Sequence, residues 1–403
     1  MTSSGPSAQR ATPRAALRVV LGVVVVDLIG FGIVMPILPF MVQEQGAGDA
    51  RGIWVGLLLS GYAAAQFLFA PVWGRLSDRV GRRPVMLATI AGTALSLFLF
   101  ALGGSLGWLL ATRILAGGFA ANVSVASAYI ADATDESERT RWMGLIGAAF
   151  GIGFLLGPAL AGGLSPFGNR VPLFAAAGLA VVNWVHAAAR LPETERPKGR
   201  VATSRRSMLS DPAVRWLCLS NLVFALSVTQ LETVFQLFLI ERFHYAAWQV
   251  ALLMVAMAAV MAIVQGGGMR ALSARFPERR LVWVGALAMA GCFVAVPEID
   301  AIGILLAVLA LSAIGRAVIQ PSLLSLTSLS ANPSDRGAVM GAFQSAASLA
   351  RVFGPFAAGW LYDHALATPF WLAGALAVVL SLLASTLPAR EPVATATAPA
   401  TGS

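Results

Sequence analysis

Twelve stretches of this chain, at about 18–40, 53–73, 84–104, 107–130, 142–164, 171–189, 214–239, 248–269, 281–297, 302–324, 338–361 and 369–387, are apolar and free, or nearly free, of charge. A helix crossing the hydrocarbon core of a bilayer needs about 20 such residues, and each stretch meets that length or nearly so. No soluble fold can bury so many. Of the 403 residues 58% are hydrophobic and 12% are charged, about half the charge that a soluble domain carries. The sequence therefore predicts an all-α polytopic membrane protein with twelve transmembrane helices, short loops and almost no soluble domain. A disulfide-stapled secreted fold, a coiled coil and a disordered chain are excluded. The two cysteines, Cys218 and Cys292, lie in apolar stretches and read as free buried thiols.

The formal net charge of +9 would point a soluble chain toward nucleic acid, so the position of each charge decides. With a cytoplasmic N-terminus, 22 of the 28 Lys and Arg fall in cytoplasmic segments, among them Arg10, Arg14, Arg18, Arg75, Arg79, Arg82, Arg83, Arg139, Arg141 and a cluster from Arg190 to Arg215. Three, Arg51, Arg170 and Arg242, fall on the other side, and three more lie inside spans. The positive-inside rule then predicts both termini in the cytoplasm and leaves no charge for nucleic acid to explain. The first apolar stretch is no secretory signal, because it is too long, holds Asp27 and Pro36 and leads into eleven more. Arginine outnumbers lysine 27 to 1, which suits a GC-rich genome and a bacterial inner membrane.

One long connection, Leu191 to Asp211, is rich in charge, Pro and Ser and divides the spans six and six. The expected domains are residues 1–190, an N-terminal six-helix bundle; 191–212, a cytoplasmic linker; 213–388, a C-terminal six-helix bundle; and 389–403, a disordered tail. The bundles read as copies of one unit. Arg139 to Gly162 aligns with Arg336 to Gly359 at a constant offset of 197, matching Met143-Gly144 with Met340-Gly341 and Gly157-Pro158 with Gly354-Pro355. Residues 76–83 match 272–279 at an offset of 196. Two like-oriented units imply a pseudo-two-fold axis along the membrane normal, with a substrate path at their interface.

The string Gly74-Arg75-Leu76-Ser77-Asp78-Arg79-Val80-Gly81-Arg82-Arg83 joins spans two and three. Read as a tight loop, it needs glycine at Gly74 and Gly81, where the backbone must turn, and it sets Asp78, Arg79 and Arg82 where they can grip another helix end. It resembles the signature loop of the major facilitator superfamily, G-x-L-x-D-R-x-G-R-[RK]. The resemblance implies that Asp78 caps a helix of the other half and locks the outward-facing state, and that Asp132, at the end of span four, is the charge partner. In the second copy Ala274 and Pro277 replace the aspartate and the glycine, so that copy is expected to have lost the latch.

Span five carries Gly144, Gly153, Gly157, Pro158 and Gly162. Glycines at these spacings let helices approach closely, and Pro158 removes a backbone donor and bends the helix. The pattern resembles the antiporter signature of the drug/proton branch of that superfamily, with Ala161 in place of the first of its two closing glycines. A charge inside a span costs about 3 kcal/mol or more unless paired or wetted. Asp27 lies in VVDLIGFGIVMPILPF, a segment similar to the first helix of tetracycline/proton antiporters, and Arg113 matches the family's membrane arginine in span four. Pairing the two fits proton coupling, since protonation removes the carboxylate charge and frees the arginine. In the second half Glu232 in span seven and Arg351 in span eleven are expected to face one cavity at different depths, Glu232 nearer the outside and Arg351 near mid-membrane, while Arg316 reaches the interface along its stem. Gln66, Asn122, Gln230, Gln265, Gln320 and Gln344 are candidates for lining a substrate cavity.

The phosphate loop G-x-x-x-x-G-K-[ST] is missing from the sequence, as are HExxH and GxSxG, which argues against ATP-driven export and against an enzyme. The resemblance covers about Leu17 to Leu387 and implies the tetracycline-resistance-like group. It makes the chain a monomeric, proton-coupled exporter of small hydrophobic or amphiphilic compounds, whose partners are its substrate, protons and the lipid bilayer, with no cofactor and no metal. Residues 248–269 depart from the tetracycline antiporters in holding no histidine, and Glu232 is a second departure. The rival readings are a transporter of one endogenous metabolite, by export or proton symport, and a non-transporting receptor or scaffold on the same fold.

Overall fold

The structure, a computed structural model, describes residues 13–193, 211–331 and 336–387. The C-terminal tail, most of the linker and cations such as Arg10 and Arg390 lie outside them. A backbone in a bilayer has no water to bond to, so an apolar run of this length takes the form that satisfies every N–H and C=O internally. The helices are α1 (Pro13–Glu44), α2 (Arg51–Val80), α3 (Arg82–Leu102), α4 (Leu106–Phe119), α5 (Asn122–Ala133), α6 (Glu136–Leu164), α7 (Val171–Arg190), α8 (Pro212–Phe243), α9 (Ala247–Ile263), α10 (Met269–Arg275), α11 (Glu278–Ala295), α12 (Ile302–Ser330), α13 (Arg336–His364) and α14 (Thr368–Thr386). Helices α4 and α5 form one span, and α9 and α10, joined by a π-helical turn at Val264–Gly268, form another. Eleven of the spans are long and apolar enough to cross a membrane. The twelfth is α13, which carries Arg351 and ends in Asp363 and His364. The chain is a multi-pass membrane protein with the all-α architecture that its apolar runs predict.

Two expectations are corrected here. Span four is not one continuous helix, because α4 stops at Phe119 and α5 restarts at Asn122. The string after Gly74 is not a loop of ten residues. Helix α2 runs through it to Val80, and the turn is made at Gly81 alone, at φ +112°. A side chain there would meet both a rarely adopted backbone conformation and the Glu193 carboxylate, 2.6 Å from the position of its Cβ.

The described residues gather into two compact units. One takes α1 to α7 with Thr233–Ala258 and Arg351–His364, so that α8, α9 and α13 each give it one end; the other takes the rest of the second half. In the first, α1 lies along α6 and α7 over a core that includes Leu17, Val20, Val24, Met86, Ile90 and Tyr129. Gly32 is the crossing point of α1 with α6. A Cβ on it would stand 2.6 Å from the Gly153 carbonyl and 3.1 Å from the Gly157 Cα, so two glycines of the span-five pattern are there to let backbones touch. In the second unit α11 packs on α12 and α14, with Gly315 facing Gly285. Asn221 donates to the Phe343 carbonyl at 2.8 Å and Ser227 to that of Ala373 at 2.7 Å.

The repeat survives at the level of single hydrogen bonds. Arg139 donates to the Ala131 carbonyl at 3.1 Å, and Arg336 donates to the Ser328 carbonyl at 3.1 Å, each eight residues earlier. Both guanidiniums thus close the last turn of the preceding helix, where carbonyls have no intrahelical partner.

Candidate functional site

Three sets of polar groups within the first unit and one in the second carry the chemistry. The first follows Gly81. Arg82, whose side chain is 7% exposed, reaches Asp132 at 2.8 Å, Asp78 at 2.7 Å and the Ser77 hydroxyl at 2.5 Å. Helix position explains this: Asp78 lies one turn before Arg82, and Asp132 ends α5 beside it. Glu193, from the start of the linker, accepts the backbone N–H of Arg82 at 2.8 Å and of Arg83 at 3.3 Å, placing a carboxylate on the N-terminus of α3. Asp78, Arg82, Gly81 and Asp132 therefore come together, while Arg79 is exposed and Gly74 lies in the interior of α2. Glu193 was not foreseen, and its only signal was an acid after Pro192.

The second set holds the opposite end of α2. The Asp363 carboxylate accepts the N–H of Gly52 at 2.7 Å and of Ile53 at 2.8 Å, capping the free donors of the first turn. Gly52, Gly56 and Gly359 are small so that α2 and α13 can meet. A Cβ on Gly359 would overlap the Gly52 carbonyl, and one on Gly56 that of Pro355. Ser60 continues the stripe and accepts the Phe356 N–H at 3.0 Å. Beside it Glu241 accepts from the Tyr362 hydroxyl at 2.8 Å and pairs with Arg51 at 3.5 Å. A cavity of about 680 Å³, lined by Arg51, Glu241 and His244 among others, opens next to this pair.

The third set lies in mid-span. The Asp27 carboxylate accepts from Asn122 at 2.8 Å, and Asn122 in turn accepts from the buried Thr89 hydroxyl. Asn122 is the first residue after the break in span four. Carbonyls left free by that break are taken by side chains: Gln66 donates to Ala120 at 2.9 Å, and the Trp73 indole donates to Gly118 at 2.6 Å. Arg113, on the other side of the break, is 2% exposed and forms no ion pair among the described residues. Its guanidinium lies 4.4 Å from the centroid of the Tyr62 ring, and its buried Nε and Nη2 have no hydrogen-bond partner. Gly117, one turn on, lets the Tyr62 backbone come close enough for that stacking. The expected Asp27–Arg113 ion pair is thus not formed here: an amide holds the acid and a ring holds the base. Gln66 and Asn122 spend their side chains between helices.

In the second unit Glu232 pairs with Arg316. Arg351 belongs to the first unit. Arg316 is accordingly an ion-pair partner. Gln230 is buried, and Gln265, Gln320 and Gln344 are exposed. In span five Gly162 approaches Ala251, 3.0 Å from a Cβ on it, and Gly144 has nothing within 4 Å. Pro158 packs near Gly32. Among the described residues no cluster of acids, histidines and cysteines is arranged to hold a metal.

Comparison with known proteins places this architecture. The family model of the Major Facilitator Superfamily matches residues 20–301 and 268–403. The class D tetracycline resistance protein of Salmonella ordonez is 30% identical over 93% of this chain and 97% of its own. The class G tetracycline resistance protein of Vibrio anguillarum is 32% identical over 92% of this chain and 96% of its own. Among solved structures, the human organic anion transporter MFSD10 (TETRAN) is 26% identical, covering 93% of this chain and all of its own, at a TM-score of 0.67. With twelve spans and the signature string turning at Gly81, the chain belongs to the major facilitator superfamily and is a membrane transporter, not an enzyme.

Proposed function

We propose that the chain is a proton-coupled exporter of small hydrophobic or amphiphilic compounds such as drugs, working by alternating access in a bacterial inner membrane with both termini cytoplasmic. The observation that carries the reading is Asp27, an acid in the middle of α1 whose hydrogen-bond partner is the neutral amide of Asn122. Such an acid takes up and gives up a proton without breaking an ion pair. Asn122 sits directly after the break in span four and Arg113 before it, so movement at Ala120 changes which of them faces Asp27. With Asn122 opposite, the neutral acid is tolerated; with Arg113 opposite, the charged form is favoured. A proton and a substrate that prefer different arrangements then drive each other across, since a ligand shifts an equilibrium only by its differential affinity. Similarity to the tetracycline resistance proteins over nearly the whole chain supports export of drugs.

The test is uphill transport in proteoliposomes under an imposed pH gradient, with tetracycline and a panel of hydrophobic dyes. Asp27→Asn is expected to keep binding and downhill exchange while uphill accumulation falls to the passive leak. An Asp27→Asn protein that still pumps uphill would overturn the assignment and move the coupling acid to Glu232. A second reading, carriage of an organic anion, rests on the likeness to MFSD10 and on the unpartnered nitrogens of Arg113. Transport of carboxylate dyes in preference to their esters would select it.

A further inference from the structure

The first turns of α1 and α6 enclose a groove that neither the coupling acid nor the latches use. Its volume is about 300 Å³. The rim is basic: Arg14, Arg18 and Arg141 line it against one acid, Glu138. That acid is already spent, since Arg14 donates to it at 2.9 Å. Arg18 and Arg141 are exposed and have no ion-pair or hydrogen-bond partner among the described residues. Trp142 stands half-buried beside them, and the floor is apolar, with Leu21 on α1 and Leu145 on α6. From Leu145 the apolar surface continues along α6 through Ile152, 42% exposed, and Leu156, 43% exposed. At spacings of i+7 and i+11 the three share one face of the helix.

We propose that this groove binds an anionic phospholipid from the leaflet at that end of the helices. Two free guanidiniums receive the phosphate, the indole packs at the level of the glycerol, and one acyl chain follows Leu145, Ile152 and Leu156. The geometry selects a lipid over a soluble anion, which would leave the apolar floor and the ribbon along α6 unused. It selects an anionic headgroup over a zwitterionic one, because two positive charges stay uncompensated once Arg14 and Glu138 have paired. The groove also lies at the depth of the headgroups, where the apolar run of α1 begins just after Arg18. A lipid seated there ties the first turn of α1 to that of α6, the two helices that cross at Gly32 beside Asp27.

The experiment measures binding of phosphatidylglycerol, phosphatidylcholine and inorganic phosphate to the full chain in detergent, by native mass spectrometry. Phosphatidylglycerol is expected to bind and the other two to be retained weakly. An Arg18→Gln/Arg141→Gln protein should lose about 30-fold in affinity, at roughly fivefold for each arginine near a headgroup. The control, Arg270→Gln/Arg275→Gln, removes two exposed arginines elsewhere and should change nothing. Equal losses in both proteins, or equal binding of phosphatidylcholine, would overturn the site, and tight binding of phosphate would make it a generic anion site. Binding that emerges only when residues 2–11 are deleted would make the chain's own N-terminus the occupant. Should the glutamine pair fail to fold, a photoactivatable phosphatidylglycerol on the parent protein decides: crosslinks between Leu145 and Leu156 are expected, and their absence refutes the proposal.

Discussion

At its Arg51 end α2 is held by a partner 311 residues away in the chain, the Asp363 carboxylate on the N–H of Gly52. At its Val80 end it is held by its own neighbours, through Arg82 between Asp78 and Asp132. The first grip is a backbone contact made possible by missing side chains and finished by one acid. The second is an ion network in which one buried guanidinium serves two acids of very different exposure, 4% for Asp132 and 59% for Asp78. The difference teaches which end is built to move. Packing between glycines is lost as soon as the backbones part, whereas Arg82 keeps Asp132 whatever happens to Asp78.

The largest effect expected from breaking this comparison is at Arg82. Removing one member of a buried ion pair leaves an uncompensated charge and costs about 3–5 kcal/mol. Arg82→Gln should therefore lower the melting temperature of the purified protein strongly, and Arg82→Lys should not rescue it, because one ammonium cannot reach both acids and Ser77 in the same fork. A melting curve like the parent's would show that the network is peripheral to the fold.

Next in size is Gly359→Ala. The added methyl overlaps the Gly52 carbonyl and forces α2 and α13 apart, at about 1–3 kcal/mol. That cost falls on the state closed at the Arg51 end, so the population should move about 5–150-fold toward the state open there. A cysteine at Ser60, buried behind the closure in this structure, reports it through its reactivity with an impermeant maleimide. Asp363→Asn should act in the same direction by about 1 kcal/mol, since an amide still offers one acceptor to the helix end. Unchanged labelling in both proteins would mean that the glycine stripe only packs.

The sequence disclosed the local half of this comparison and hid the distant half. Asp78, Arg82 and Asp132 were legible through the resemblance of residues 74–83 to a signature string and because their charges interrupt apolar runs, although the string reads as a loop and folds as the end of α2. The spans and the repeat were legible for the same reason, since a bilayer converts composition directly into helices. Asp363 was not, because an acid at a helix end says nothing about which helix it caps when the two are most of the chain apart. The break at Ala120 was hidden in Phe119-Ala120-Ala121-Asn122, where alanine favours helix and only the partners Gln66 and Trp73 make the interruption affordable. The Glu232–Arg316 pair was not legible, because position along a run gives depth, while pairing also needs the direction a side chain faces around its helix.

The smallest effect, and the one that sharpens the comparison most, belongs to Asp78→Asn. In this structure Asp78 holds only the exposed side of Arg82, a contact worth about 0.3–0.5 kcal/mol, so the melting temperature should barely move. If Asp78 serves the opposite state, as the family's signature loop implies, its loss weakens that state alone and raises the share of molecules closed at the Arg51 end. Maleimide labelling of Ser60→Cys should then fall in Asp78→Asn, where it rises in Gly359→Ala. The signs are opposed because each substitution removes support from a different member of one equilibrium. The two sites lie at opposite ends of α2 and share no contact, so their effects should add, and the double variant should label at a level between the two. Labelling that rises in both single variants would show that Asp78 steadies the same closed state as Gly359, and that the two ends of α2 are one latch.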